Sequence, residues 1–470
     1  KQLTRQNVSV RNGRGKTVGS RSFSVIKNYL FHLILDTLCS YYPDTLPEFT
    51  ISQMIEKTKI LNMKQLHDQA LKLIRKAKQA ALKNELFPEA LQASQIERKN
   101  FEFQDIEAYE QSIRDNLTEE KSILEKYNNL TEYEHLQSKM FKMYRTNKAV
   151  RNNEVDAFLK KMLKHHLLRN ETSALSCRAK YFFYFIKETC YSLLGDMEKS
   201  RVYAQKTITM LESEPMEGYK IRMYISSLYA ITTIQNFMGK YAEAMQNVQK
   251  IRDIGKVYPQ FVKNFPPEAP FRLSVVLETD LYLRIPDYET GVARIPHIEA
   301  GLKKFGHKMN MYNLNNIYFN ISLLYFGTRD YHKALYWVNK ILNENKDDYT
   351  LDVICGAKIF FLIIHIELEN DDLLEYVAKS TNRYLTARKR KYKVESIFLD
   401  LLKVLVNQNQ KKDLLNIYSQ MLAQFKKLKA DPYEKGAFEF FDFISWLESK
   451  ISGKSFADIV QSKARKLETA

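Results

Sequence analysis

The sequence predicts an all-α fold, a right-handed α-α superhelix of about eight or nine stacked helix pairs, and three observations carry that expectation. The first is length: 470 residues exceed what one compact core supports, so the chain must either divide into domains or grow by stacking. The second is punctuation. Only 14 Gly and 11 Pro occur, too few for a strand-rich fold whose hairpins each consume turn residues. The third is a recurring pattern of turn glycine, apolar anchor and small residue.

The pattern is clearest in three places: Leu193 to Ala204 around Gly195, Phe237 to Met245 around Gly239, and Tyr325 to Leu335 around Gly327. After each glycine come an anchor, a small residue and further apolar residues on one helical face, as in Tyr241, Ala244, Val248 and Ile251, and again in Tyr331, Ala334, Val338 and Ile341. Ser200, Ala244 and Ala334 are the small positions that admit a neighbouring helix closely. Anchors recur at Met197, Tyr241, Tyr288, Tyr331, Leu374 and Leu414, about 43 residues apart, with His67, Ile106 and Val155 continuing the ruler upstream.

This Gly-x-Tyr-x-x-Ala logic resembles that of tetratricopeptide repeats. The period is longer than the roughly 34 residues of an ordinary unit, so the resemblance is to a divergent branch of the helical-hairpin superfamily. Departures are specific: Met197 replaces the usual Tyr, Gly291 the usual Ala, and Pro286 and Pro296 flank the Tyr288 unit. The phrase Lys27 to Leu35 also resembles the N-terminal part of a group of uncharacterised helical-repeat proteins from Bacteroidetes, which implies no activity.

Four stretches are expected along the chain. Residues 1–22 hold six Lys or Arg, three Gly and no acid, a flexible basic tail. Residues 23–170 form an N-terminal helical region with weaker repeats, opening on an amphipathic helix whose stripe of Val25, Ile26, Tyr29, Leu30, Leu33, Ile34 and Leu38 should cap the first repeat. Glu102 to Lys148, rich in Glu, Lys, Gln and Tyr, reads as long helices with much exposed surface. Residues 171–430 are the repeats proper, and 431–470 are capping helices, with Ala437 to Leu447 read as one strongly apolar helix.

Chemistry is excluded motif by motif. The four cysteines, Cys39, Cys177, Cys190 and Cys355, show no metal-ligand spacing and are expected to be reduced core residues. His165 and His166 are adjacent and point apart on a helix, so no metal is expected there. Asn12 to Thr17 mimics a phosphate loop, but Val10 stands where the motif needs glycine. No nucleophile elbow, dinucleotide turn or zinc-protease helix occurs, so no cofactor and no enzyme activity are expected. The apolar run Ile359 to Ile366 is broken by His365 and too short to cross a bilayer. A lysine-rich, cysteine-poor chain points to the cytoplasm. It opens on Lys1 rather than Met, which leaves a preceding segment open.

Two surfaces remain as binding candidates. In tetratricopeptide-like arrays the first helix of each pair lines a groove, and Asn313, Asn316 and Asn320 recur there at helical spacing, with Tyr229, Thr233 and Asn236 on the corresponding helix one unit earlier. An asparagine amide both donates to and accepts from a peptide backbone; the alternative is that these residues are merely solvated, or cap and bridge neighbouring helices. The other surface is basic. Of the +17 net charge, part is concentrated in Arg383, Arg388, Lys389, Arg390, Lys391 and Lys393, and part in Lys160, Lys161, Lys164 and Arg169. The leading expectation is therefore a helical-repeat scaffold holding a peptide or protein partner in its groove, with the basic patches suiting an acidic one. The alternatives are a nucleic-acid-associated regulator gripping phosphates with the basic patches, and an enzyme without recognisable motif.

Overall fold

The computed structural model describes residues 20–41, 47–103, 106–146, 153–213, 215–216, 218–259, 266–344, 351–406, 414–431 and 433–468. The basic tail expected over 1–22 lies outside these residues as far as position 19, and the Asn12 to Thr17 loop with it. Among the described residues there are twenty α-helices and no strand, and consecutive helices pack on one another in series. The chain clusters into two compact units, 1–127 and 128–470.

Unit 1 contains α1 (Ser20–Tyr41), α2 (Pro47–Met63), α3 (His67–Lys83), α4 (Phe87–Asn100) and the first half of α5 (Ile106–Thr146), a single helix of 41 residues. Its core is built on small residues: Ala70, Ala77, Ala81, Ala90 and Ala93 are fully buried, which brings α3 and α4 close together. Lys78 is held between Glu97 and Glu119, and Asn116 donates to the Ser94 hydroxyl at 2.9 Å. The expectation for α1 is corrected. Val25 and Tyr29 are 68% and 66% exposed and the rest of the stripe is likewise uncovered, so α1 does not cap the repeat. That end is taken by α2, which buries Ile51, Ile55 and Thr58 and packs on α3 and α4.

Unit 2 carries α6 (Asn153–Leu163) and then pairs: α7 (Cys177–Leu194) with α8 (Met197–Glu212), α9 (Tyr219–Phe237) with α10 (Tyr241–Val257), α11 (Glu268–Arg284) with α12 (Tyr288–Phe305), α13 (Met311–Gly327) with α14 (Tyr331–Glu344), α15 (Leu351–Glu367) with α16 (Asp371–Ala387), α17 (Lys393–Val406) with α18 (Leu414–Leu428), and α19 (Phe443–Ser452) with α20 (Phe456–Glu468). Each anchor from Met197 to Leu414 falls at or within three residues of the start of a second helix. The small residues behind the anchors, Ser200, Ala244 and Ala334, have no exposed surface.

The turns share a geometry that their residues do not. Gln65, Glu85, Gly195, Gly239, Arg329 and Glu369 all adopt positive φ two residues ahead of a helix start, so the left-handed turn recurs although glycine supplies it only twice in this set. Gly327, read above as a turn glycine, belongs to α13 instead: a Cβ there would lie 2.3 Å from the ring of Tyr288, and Arg329 makes the turn. Gly291, the departure from the usual alanine, is likewise forced by packing, since its Cβ would meet Leu324 at 2.6 Å. Helix starts are capped by Ser176, Asp196, Asp287 and Asn310.

Two further corrections concern the cysteines and the C-terminal segment. All four cysteines are free, but only Cys190 is buried; Cys39 is exposed and the other two are half-buried. The stretch Ala437 to Leu447 is not one helix. A 3₁₀ turn spans Lys435–Glu439, and α19 begins at Phe443 with Asp442 as its cap, accepting from the Ser445 N–H at 3.0 Å. No described helix is long and apolar enough to cross a membrane.

Candidate functional site

The first helices α9, α11 and α13 each have a buried stripe and, beside it, half-buried polar residues. On α13 the buried set includes Leu314, Ile317, Ile321 and Leu324, while Asn313, Asn316 and Asn320 remain half-buried beside it. Asn313 accepts from Arg272 of α11 at 3.1 Å, and Asn320 donates to the Thr279 hydroxyl at 3.0 Å. Both thus tie α13 to α11. Asn316 bonds within its own helix, donating to the Tyr312 carbonyl at 2.6 Å.

The α9 candidates occupy the same kind of stripe. Tyr229 and Thr233 are half-buried, and the Thr233 hydroxyl donates to the Tyr229 carbonyl at 3.0 Å. Asn236 is 1% exposed and donates to the Asp280 carboxylate at 3.0 Å, so it is a helix-to-helix tie. Tyr229, Tyr312, Asp280 and Arg272 are near enough to act on one another: burial first, then Tyr312 and Asp280, push the Tyr229 hydroxyl above its ordinary pKa, with Arg272 opposing.

Three charged residues of this stripe, Arg272, Asp280 and Arg284, escaped the sequence reading. Arg284 bonds Asp280 at 3.0 Å and lies 3.8 Å over the ring of Phe237. A signal was present, because Asp280 stands in the same register to Tyr288 as Thr233 does to Tyr241. Repeated asparagine alone does not mark it.

A segment of the chain itself crosses this stripe. Its base is Glu434, whose carboxylate caps α17 by accepting the Lys393 and Val394 N–H groups at 3.1 and 3.2 Å. From there Tyr433 donates to Asn153 of α6, and Lys435 lies so close to the α7–α8 turn that a Cβ on Gly195 would sit 2.8 Å from its Nζ. Glu439 faces Arg284 at 3.8 Å, Phe440 meets Phe319 edge-on at 6.2 Å and fills the space over Gly356, and Phe441 packs among Phe326, Phe360 and Phe456. Gln461 of α20 donates to the Pro286 carbonyl at 3.1 Å. The late repeats of unit 2 therefore meet its early ones through this strap, residues 433–442.

The basic cluster lies at the α16–α17 junction. Arg390 is half-buried and reaches Asp352 at 3.5 Å, Lys393 reaches Asp431 at 3.4 Å, and the Arg388 guanidinium lies 3.9 Å over the Tyr384 ring. Arg383, Lys389 and Lys391 are exposed. Part of the cluster's charge is thus spent within the fold. No group of three or more His, Cys, Asp or Glu able to hold a metal ion gathers among the described residues.

No family model and no curated protein matches the chain. Among solved structures it is similar to the apo form of RapI, with a TM-score of 0.43 and 13% identity over 86% of this chain and 99% of that one. It is also similar to a Rap protein complexed with competence and sporulation factor, with a TM-score of 0.42 and 11% identity over 89% of this chain and 99% of that one.

Proposed function

We propose that this chain is a non-catalytic helical-repeat scaffold that holds a segment of a partner protein along the polar stripe of its first helices. The observation that carries the reading is the strap. A short non-α segment of the same chain already seats a carboxylate on Arg284 and an aromatic ring on Phe319, so the stripe's chemistry suits a peptide carrying acidic and aromatic side chains. Over α9 to α13 the stripe offers hydroxyl, amide and guanidinium groups on a framework whose stability resides in the buried seams.

The test is affinity capture from nuclease-treated native extract at low and high salt, comparing the full chain with its Asn316→Ala variant and with an Arg388→Gln, Lys389→Gln, Lys391→Gln variant. Asn316 is the stripe residue to change because its side-chain bond lies within α13. The reading expects a protein that survives nuclease and is lost with Asn316→Ala. Retention of nucleic acid before nuclease treatment, lost with the triple variant and falling steeply with salt, would sink it in favour of phosphate recognition.

A further inference from the structure

Four arginines on and around the stripe of unit 2 meet carboxylates. Arg252 and Arg294 both reach Glu278, Arg284 reaches Asp280 and Glu439, and Arg390 reaches Asp352. Arg272 reaches no carboxylate within ion-pair distance among the described residues; its guanidinium donates to the neutral amide oxygen of Asn313 at 3.1 Å. It is half-buried, and that burial is the main cause lowering its pKa, only partly opposed by Tyr229 and Glu268. A guanidinium drawn out of water without a counter-charge is the chemistry that a carboxylate completes, through paired N–H to oxygen bonds.

The surroundings point the same way. The hydroxyl of Tyr229 lies in the same electrostatic neighbourhood, able to donate to one of a carboxylate's remaining lone pairs. Farther along α11 the chain shows what such a site accepts, where Glu439 of the strap sits on Arg284 with Phe440 beside it. We infer that Arg272, with Asn313 and Tyr229, forms a subsite for a carboxylate of the bound partner, so that the segment held in the groove is an acidic peptide. The assignment rests on the groove reading above and names the chemistry of its occupant.

The experiment immobilises the full chain and challenges it with two mixtures of random octapeptides, one with Asp or Glu fixed at two inner positions and the other with Asn or Gln there. At equal ionic strength the acidic mixture should be retained about tenfold more strongly, the size expected of one charge-assisted pair. In Arg272→Gln, which keeps a donor for Asn313, the ratio should fall to about one, and Arg272→Lys should restore part of it. Unchanged thermal melts for both variants confirm that the fold survives. Equal retention of the two mixtures by the unmodified chain overturns the subsite and leaves the groove reading standing, whereas retention of neither overturns the groove reading and the subsite with it. A preference that survives Arg272→Gln but vanishes in a Lys389→Gln, Lys391→Gln variant places acid recognition on the basic cluster and overturns the assignment.

Discussion

The two ends of the polar stripe in unit 2 are built alike and finished differently. At Phe319 and Phe326 of α13 and Phe360 of α15 the strap lays Phe440 and Phe441 on the frame, and the surface there becomes core. Along α9, α11 and the asparagine face of α13 the positions are Tyr229, Thr233, Arg272, Asp280 and Asn316, polar and half-covered. The same helical-hairpin frame thus becomes an interior where the chain supplies its own occupant and stays a polar surface where it does not, the surface proposed above to hold the partner. Mutations at the first end should cost stability, and mutations at the second should cost binding.

The largest effect is expected at the filled end. Trp446 has no exposed surface and its indole donates to Glu367 at 2.7 Å, while Lys450 pairs with the same carboxylate at 2.6 Å. Trp446→Ala should lower the unfolding free energy by about 3–5 kcal/mol, read by urea denaturation, through the cavity and the carboxylate's lost partner. A loss under about 1 kcal/mol would show that the C-terminal pair is not part of the folded core.

Next comes a carboxylate at the open end's edge. Glu188 on α7 is buried with only the Thr189 hydroxyl donating to it, at 3.2 Å, and burial pushes its pKa from 4.5 up to about 7. Because the folded value is raised, its contribution favours the fold below the unfolded pKa and is lost as pH rises through about 7. Glu188→Gln should therefore match the unmodified chain near pH 4 and exceed it at pH 8 by up to about 3 kcal/mol. Urea curves at the two pH values check this; a pH-independent difference would mean that a cation compensates the carboxylate.

A smaller loss is expected at Gly327, where a methyl group would press on the Tyr288 ring at 2.3 Å. Gly327→Ala should cost about 1–3 kcal/mol by overpacking, although alanine is the better helix former. A thermal melt suffices, and a gain in stability would assign Gly327 to the turn after all.

How much of this was legible follows from what each feature depends on. Helix pairing and the start of each second helix were readable because anchors such as Tyr241 and Tyr331 repeat at helical spacing and face the buried seams. The turns were readable only where glycine marks them, since Arg329 and Glu369 adopt the same left-handed geometry without a sequence signature. The strap was not readable. Its apolar residues suggested a helix, yet Glu434 is engaged in capping α17 and Asp442 starts α19, so both ends of the segment are fixed by partners distant in sequence or by a cap that interrupts the run. In the candidate site, the asparagine spacing marks a half-buried face of α13, but the charged neighbours on α11, Arg272 on Asn313 and Arg284 on Asp280, depend on three-dimensional pairing alone.

The smallest effect on stability is expected at Asn316, which is half-buried and donates to the Tyr312 carbonyl of its own helix; Asn316→Ala should change the unfolding free energy by no more than about 0.5 kcal/mol while abolishing partner capture. The same position gives the most direct test of the binding surface. With p-benzoylphenylalanine placed at position 316 and, separately, at the exposed Tyr336 on the second helix, photo-cross-linking in the presence of the captured partner should give adducts from 316 and none from 336. Adducts from 336, or from a third probe at Lys389, with none from 316 would contradict the account and move the partner off the polar stripe.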